Sequence, residues 1–245
     1  MGGGVPAMTG IRVAHLSYRY GPKTALDDVS FSVERGHFCA LLGPNGAGKS
    51  TLFNLLTRLF VAPQGQIEIA GHDLKQNPRA ALACLGIVFQ QTTLDMDLTV
   101  RQNLRYFAAL HGLSGRDRAR RIDSVLDRLN IADRADEKAR SLNGGHRRRT
   151  EIARALLHDP AVLLLDEPTV GLDAAARAAI TDHVHGLADA GTTVLWATHL
   201  ADEVRPDDRL VLLHRARVLA DGLARDISAG QPLQQAFLTL TAAPA

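Results

Sequence analysis

The chain has 245 residues, 46 % of them hydrophobic and 22 % charged, with a net charge of +2. That length buries one sizeable core with a smaller subdomain attached, and the balance excludes a disordered polypeptide. The charge is too small to imply a nucleic-acid partner by itself, and apolar runs such as Phe38–Leu42 and Ala161–Leu165 are of strand length, whereas a membrane span needs about 20 residues.

In chain order, residues 1–10 (MGGGVPAMTG) have neither a basic region nor an apolar core. They read as a flexible lead-in and not a secretory signal, with Met8 as an alternative start. Residues 11–34 alternate apolar and polar, as in Val29-Ser30-Phe31-Ser32-Val33, which predicts half-buried antiparallel strands. His37–Leu42 is nearly continuous in apolar character and ends at Gly43, the pattern of a strand buried on both faces of a parallel sheet. Leu52, Leu55, Leu56 and Leu59 recur at helical spacing and predict a helix from Lys49 to Phe60. Strands are expected at Gln66–Ala70 and Gly86–Gln90.

From about Thr92 to Arg140 helical patterning takes over, with Val100, Leu104, Phe107, Ile122, Val125, Leu126 and Leu129 forming an apolar stripe. This predicts a helical subdomain inserted into the sheet. Arginines and aspartates interleave between Arg116 and Asp136, which reads as a solvated, salt-bridged face; Arg147, Arg148 and Arg149 follow soon after. Strands return at Val162–Leu165 and Thr192–Ala197, on either side of a helix from about Ala174 to Ala190 that Gly191 stops. A hairpin of Leu210–Leu213 and Arg217–Ala220 precedes an uninformative tail. Cys39 and Cys84 lack metal-ligand spacing and read as buried small hydrophobes in a reducing compartment.

Gly43-Pro44-Asn45-Gly46-Ala47-Gly48-Lys49-Ser50 fits G-x-x-x-x-G-K-[ST] between a buried strand and an amphipathic helix. An accidental match has a chance of roughly 1 in 100 in a chain this long. Such a loop wraps its N–H groups around phosphates at a helix N-terminus. Lys49 is placed to reach the β- and γ-phosphates, Ser50 to bind Mg²⁺, and Thr51 closes the loop. Leu163-Leu164-Leu165-Asp166-Glu167 ends a buried strand in two carboxylates. With a phosphate loop upstream, Asp166 reads as the Mg²⁺ ligand and Glu167 as the base that polarises the attacking water.

Together these ordered motifs resemble the nucleotide-binding domains of ABC transporters over residues 11 to 225. The resemblance implies an α/β fold: a P-loop NTPase (RecA-like) core with an N-terminal antiparallel β-subdomain and an inserted helical subdomain. It places the ATPase domain at 11–228, its helical subdomain at about 92–150 and a tail at 229–245. Tyr20 is similar to the aromatic that stacks on adenine, Gln90 (in preference to Gln91) to the glutamine that touches Mg²⁺ and water, Val170–Asp173 to the D-loop, and His199 to the switch histidine at the γ-phosphate. The usual LSGGQ stands here as Leu142-Asn143-Gly144-Gly145-His146. Gly144 and Gly145 keep the close backbone approach, while Asn143 replaces a hydroxyl with a bulkier amide that still donates, which implies a competent but altered site.

The family implies ATP and Mg²⁺ bound between two head-to-tail copies, coupled to ABC permease subunits at the cytoplasmic face of the inner membrane, with no nucleic acid. The segment around Phe89–Val100 resembles subunits of drug-resistance and small-molecule exporters. Leu142–Arg149 with Trp196–Leu200 is similar to subunits associated with pyrroloquinoline-quinone-dependent alcohol oxidation. Two rivals stand beside this reading. One is a soluble ABC ATPase of translation or DNA repair, which the arginines leave open. The other is a degenerate cassette that binds ATP as a switch, for which the altered Leu142–His146 segment is the only support.

Overall fold

The computed structural model describes residues 9–242. The expected lead-in therefore lies outside the described residues, except for Thr9 and Gly10, which already belong to the first strand. The alternating residues form β1 (Thr9–Tyr20) and β2 (Lys23–Glu34), an antiparallel pair. β3 (Phe38–Leu42) is buried at every position and leads through the glycine-rich loop into α1 (Lys49–Leu56). β4 (Gln64–Ile69) and β5 (His72–Asp73) complete a four-stranded sheet of order β2-β1-β4-β5.

The expected helix from Lys49 to Phe60 is shorter than its leucine spacing implies. Thr57 Oγ1 donates to the Phe53 carbonyl over 2.8 Å, and Arg58 turns to φ 57. That left-handed residue ends the helix, and Leu59 is left 63 % exposed, off the stripe.

α2 (Pro78–Ala83) and β6 (Leu85–Val88) follow, then three helices: α3 (Val100–Leu110), α4 (Gly115–Arg128) and α5 (Gly144–Ala155). Thr99 caps α3 in a reciprocal capping box with Gln102. The chain returns to the sheet in β7 (Val162–Asp166), passes through α6 (Ala174–Asp189) to β8 (Thr193–Thr198), and closes the sheet with the hairpin β9 (Arg209–His214) and β10 (Arg217–Leu223). The second sheet has the order β10-β9-β3-β8-β7-β6, parallel except for β10. The tail is better ordered than its composition implies. After α7 (Ala224–Ser228), α8 (Leu233–Ala242) packs Leu233 and Phe237 against the core.

Strand alternation sorts the core into two layers on opposite faces of the central sheet. Phe38, Ala40, Leu42, Leu163, Leu165, Val194 and Trp196 join Val100, Leu104, Ile122, Leu126 and Ile152 of the helices. Cys39, Leu41, Val162, Leu164, Leu195 and Ala197 face α1 and the antiparallel sheet. The stripe expected at Ile122, Val125, Leu126 and Leu129 is buried in the first of these layers. The interleaved charges stay outside and pair as expected: Arg101 with Asp123 at 2.6 Å, Arg120 with Asp117 at 3.0 Å, Arg134 with Glu137 at 2.9 Å. Cys39 is buried and Cys84 only half-buried, and both are free thiols. Among the described residues no helix is long and apolar enough to cross a membrane.

Candidate functional site

The parallel strands β3, β7 and β8 end side by side, so the loops that follow them meet at one edge. Gly43 N–H donates to the Thr198 carbonyl over 3.3 Å, and Glu167 N–H to the Ala197 carbonyl over 2.9 Å. Backbone bonds thus tie three loops that lie far apart in sequence. Gly48, at the junction with α1, takes φ +116, and a Cβ there would meet the Ala25 carbonyl oxygen at 2.6 Å. Only glycine lets the loop turn so sharply against β2.

Lys49 is 5 % exposed. Its Nζ donates to the Gly43 carbonyl over 2.6 Å and lies 3.4 Å from Glu167 Oε1. Glu167 Oε1 is also 3.3 Å from His199 Nδ1, and Oε2 accepts from Gln90 Nε2 over 3.2 Å. One carboxylate therefore touches three predicted site residues drawn from three loops. Its backbone sits at φ 46, a left-handed conformation uncommon outside glycine.

Asp166, one residue earlier, faces different surroundings. Burial first, and then the charge of Glu167, push its carboxyl up to about 6, with Lys49 pulling the other way. A divalent cation beside it would restore the ionised form, and the neighbouring Ser50 hydroxyl and Gln90 amide are hard oxygen donors of the kind Mg²⁺ takes. Among the described residues no cluster of three or more His, Cys, Asp or Glu could hold a metal unaided. The set fits an ion that takes one carboxylate, a hydroxyl and substrate phosphates.

A cleft of about 400 Å³ opens over this edge, lined by Tyr20, Thr24, Pro44–Gly46, Gly48–Thr51, Gln90 and Glu167. Tyr20 is 44 % exposed and stands roughly perpendicular to the rings of Tyr18 and Phe60. Its hydroxyl is 3.5 Å from Thr51 Oγ1. Gly43, Ala47, Asp166 and His199 do not line the cleft itself, and neither do Gln91, Asn143, Gly144 and Gly145.

Asn143 instead caps α5, its side-chain oxygen accepting the His146 N–H over 2.8 Å. A Cβ on Gly144 would sit 2.9 Å from Leu172, so this loop packs against the turn after Glu167. Burial, with the guanidiniums of Arg134 and Arg149, holds the His146 imidazole below its ordinary pKa.

The sequence model described as ABC transporter matches residues 26–170. The chain belongs to the ABC transporter ATP-binding family. It is 41 % identical over 224 residues to a daunorubicin resistance ATP-binding protein, DrrA3, of Streptomyces coeruleorubidus, covering 91 % of this chain and 71 % of that protein. It is 37 % identical over 245 residues to YbhF of Escherichia coli K12, a probable multidrug ABC transporter ATP-binding protein, covering 97 % of this chain but 42 % of that one. A Nod factor export ATP-binding protein I of Neorhizobium galegae is 41 % identical over 204 residues, 83 % of this chain and 59 % of its own length. The chain thus spans between under half and about seven-tenths of these relatives. A solved ATP-binding subunit of an ABC transporter superposes with a TM-score of 0.82 at 30 % identity, over 94 % of this chain and 99 % of that one. The family hydrolyses ATP to power transport, and this ABC domain carries its P-loop NTPase fold.

One feature of the ABC domain is not among the sequence expectations. Arg148, Glu151 and Arg154 of α5 are buried and grip the segment that carries Gln90. Arg148 donates to the Phe89 and Gln90 carbonyls over 2.7 and 3.0 Å and pairs with Glu151 at 2.7 Å. Glu151 accepts the Thr93 N–H over 2.9 Å, Arg154 donates to Thr93, and its guanidinium lies 4.4 Å from the Phe107 ring centroid. The i, i+3, i+6 spacing of one face was the available signal. That signal is weak, because charges in a helix usually face water. Arg147 likewise donates to the Ala139 and Arg140 carbonyls. Of the arginines that kept a nucleic-acid reading open, Arg148 is thus spent inside the protein and Arg147 on nearby carbonyls, while those from Arg116 to Arg134 stay at the surface.

Proposed function

We propose that this chain hydrolyses ATP·Mg²⁺ as one half of a head-to-tail dimer and so drives a small-molecule exporter built with separate permease subunits. The observation that carries the reading is the Glu167 carboxylate, which accepts from Gln90 and lies 3.4 Å from Lys49 Nζ and 3.3 Å from His199 Nδ1 at the mouth of the glycine-rich loop. Export, and a small molecule as cargo, follow from the drug-resistance and Nod factor names of the relatives.

In this mechanism Gly43–Ser50 wrap the phosphates and Tyr20 stacks on the adenine. Lys49 swings from the Gly43 carbonyl to the β- and γ-phosphates and releases its grip on Glu167. The freed carboxylate accepts the proton of the attacking water, which Gln90 orients, while His199 donates to the γ-phosphate. Ser50, Asp166 and Gln90 would hold Mg²⁺, which would supply charge neutralisation at the phosphate oxygens. Asn143 Oδ1 is engaged in the helix cap, so its Nδ2 donors are free to point outward. With the N-terminus of α5 they offer the second copy's γ-phosphate a positive surface. Tyr106 and Leu110, exposed on α3, offer apolar surface to a permease helix beside residues 91–107. The assembly sits peripherally on the cytoplasmic face of the membrane.

The test is Glu167→Gln. Its amide keeps the shape of the site and cannot take the proton, so turnover falls by at least about a hundredfold while ATP binding persists and an ATP-bound dimer accumulates on gel filtration. Full turnover in that variant would remove Glu167 from catalysis.

A further inference from the structure

Glu203 ends the 3-10 turn Ala201–Glu203, four residues beyond His199, and is 3 % exposed. Its carboxylate accepts hydrogen bonds from three side chains in two segments, the turn after Glu167 and β8. Thr169 Oγ1, two residues after Glu167, donates to Oε1. Trp196 Nε1, in β8, donates to Oε2 over 3.0 Å, and Thr198 Oγ1, immediately before His199, donates to Oε2 over 2.5 Å. Thr198 Oγ1 in turn accepts the Leu200 N–H over 3.0 Å. Both chain neighbours of His199 are therefore fastened, directly or through one hydroxyl, to this carboxylate.

A buried carboxylate is costly unless it is fully hydrogen-bonded. Arg177 and Arg205, which line a cavity together with Glu203, pair instead with Asp202 and Asp182. Packing alone would be met by an apolar side chain. What the charge adds is a strong acceptor shared by two loops that must move together. Thr169 opens the turn that runs to Asp173, where Val170 N–H bonds the Glu167 carbonyl and Leu172 N–H bonds the Thr169 carbonyl. Val170, in that turn, is 41 % exposed. A displacement of the turn must either break the Thr169 bond or carry Glu203, Thr198 and His199 with it.

We propose that Glu203 is a positioning residue for ATP hydrolysis. It holds the turn after Glu167 and the His199 loop in one register, so that a second copy pressing on Val170–Asp173 sets the histidine. This rests on the reading of His199 and of the dimer given above.

The test is a double-mutant cycle in the full chain, with Thr169→Val, Thr198→Val and both together, each also in a Glu203→Gln background. Steady-state kcat and KM for ATP are measured alongside the thermal midpoint. Each single change is expected to lower kcat about tenfold (about 1.4 kcal/mol) with KM within about twofold. The pair should be no worse than either alone, because one break already severs the linkage. In the Glu203→Gln background the threonine changes should have no further effect. Trp196 is the only tryptophan in the chain, so its emission reports the joint. ATP should shift it in a Glu167→Gln background, and the shift should disappear when Thr169→Val is added.

Additive losses, losses confined to KM, or unchanged kcat in Glu203→Gln would overturn the proposal. Should Glu203→Gln not fold, the threonine cycle carries the decision alone. A His199→Ala control separates the levels. Full turnover there overturns the underlying site reading and this proposal with it, whereas additive threonine losses beside an inactive His199→Ala overturn the joint alone.

Discussion

Asp166 and Glu167 are neighbours in the chain with different surroundings, and the difference has a pH signature. Asp166 is raised from 3.8 to about 6, chiefly by burial. The stability this group contributes is therefore fully present below about pH 4, near the unfolded pKa, and is lost as pH rises through about 6. Mg²⁺ and the proton compete for the same carboxylate. Mg²⁺-dependent ATP binding should accordingly weaken about tenfold per pH unit below about 6, and Asp166→Asn should flatten that dependence; titration calorimetry at pH 5 and 7.5 measures both. Asn143 is a second residue-scale case, since its oxygen caps α5 while its amide is free. Asn143→Ala should cost about 1 kcal/mol by denaturant unfolding, whereas Asn143→Ser, another good cap, should keep the stability. If the amide tunes the site, Asn143→Ser changes turnover; unchanged turnover and dimerisation would refute that tuning. The identities of Lys49, Asp166, Glu167 and His199 were readable in the sequence because each stands at a motif position beside a buried strand. Apart from the adjacent pair Asp166 and Glu167, their mutual distances were not, since they come from three different loops.

At the scale of elements, α5 does two things at once. Its N-terminus carries Asn143 and the two glycines, and its middle holds Phe89, Gln90 and Thr93 through Arg148, Glu151 and Arg154. Burial pushes the Glu151 carboxyl up while the Arg148 charge pulls it down. Removing one partner leaves the other charge buried and unpaired, so Glu151→Ala should destabilise the protein by about 3–5 kcal/mol, measured by urea unfolding. A loss below about 1 kcal/mol would show that water reaches the arginines. The glutamine loop and the N-terminus of α5 are thus parts of one clamped unit. Helical periodicity identified α3 and α4 because their apolar stripes are clean. It overran α1, because the signal that ends α1 is the left-handed Arg58 and the Thr57 hydroxyl, and neither has a sequence signature as plain as glycine.

Across the whole molecule, the cleft that would hold ATP lacks the Asn143–Gly145 segment of its own chain. A site that needs that segment is completed by a second copy, so hydrolysis per chain should rise with protein concentration and plateau once the dimer saturates. Measuring the rate across a concentration series checks this, and strict proportionality of total rate to protein at every concentration would leave the single chain sufficient.

By itself the sequence determined the glycine-rich loop between strand and helix, the carboxylate pair, the parallel sheet and the family, because these depend on local spacing and on apolar runs whose burial is forced. The tertiary structure alone decided that Glu167 is the meeting point of three loops, that Arg148 and Glu203 are interior, and that Asn143–Gly145 stand away from the cleft. Spacing places such charged side chains on one helix face, but does not say whether that face meets water or a carbonyl about 60 residues away. That is settled only when β3, β7 and β8 align their ends and draw the loops onto one edge.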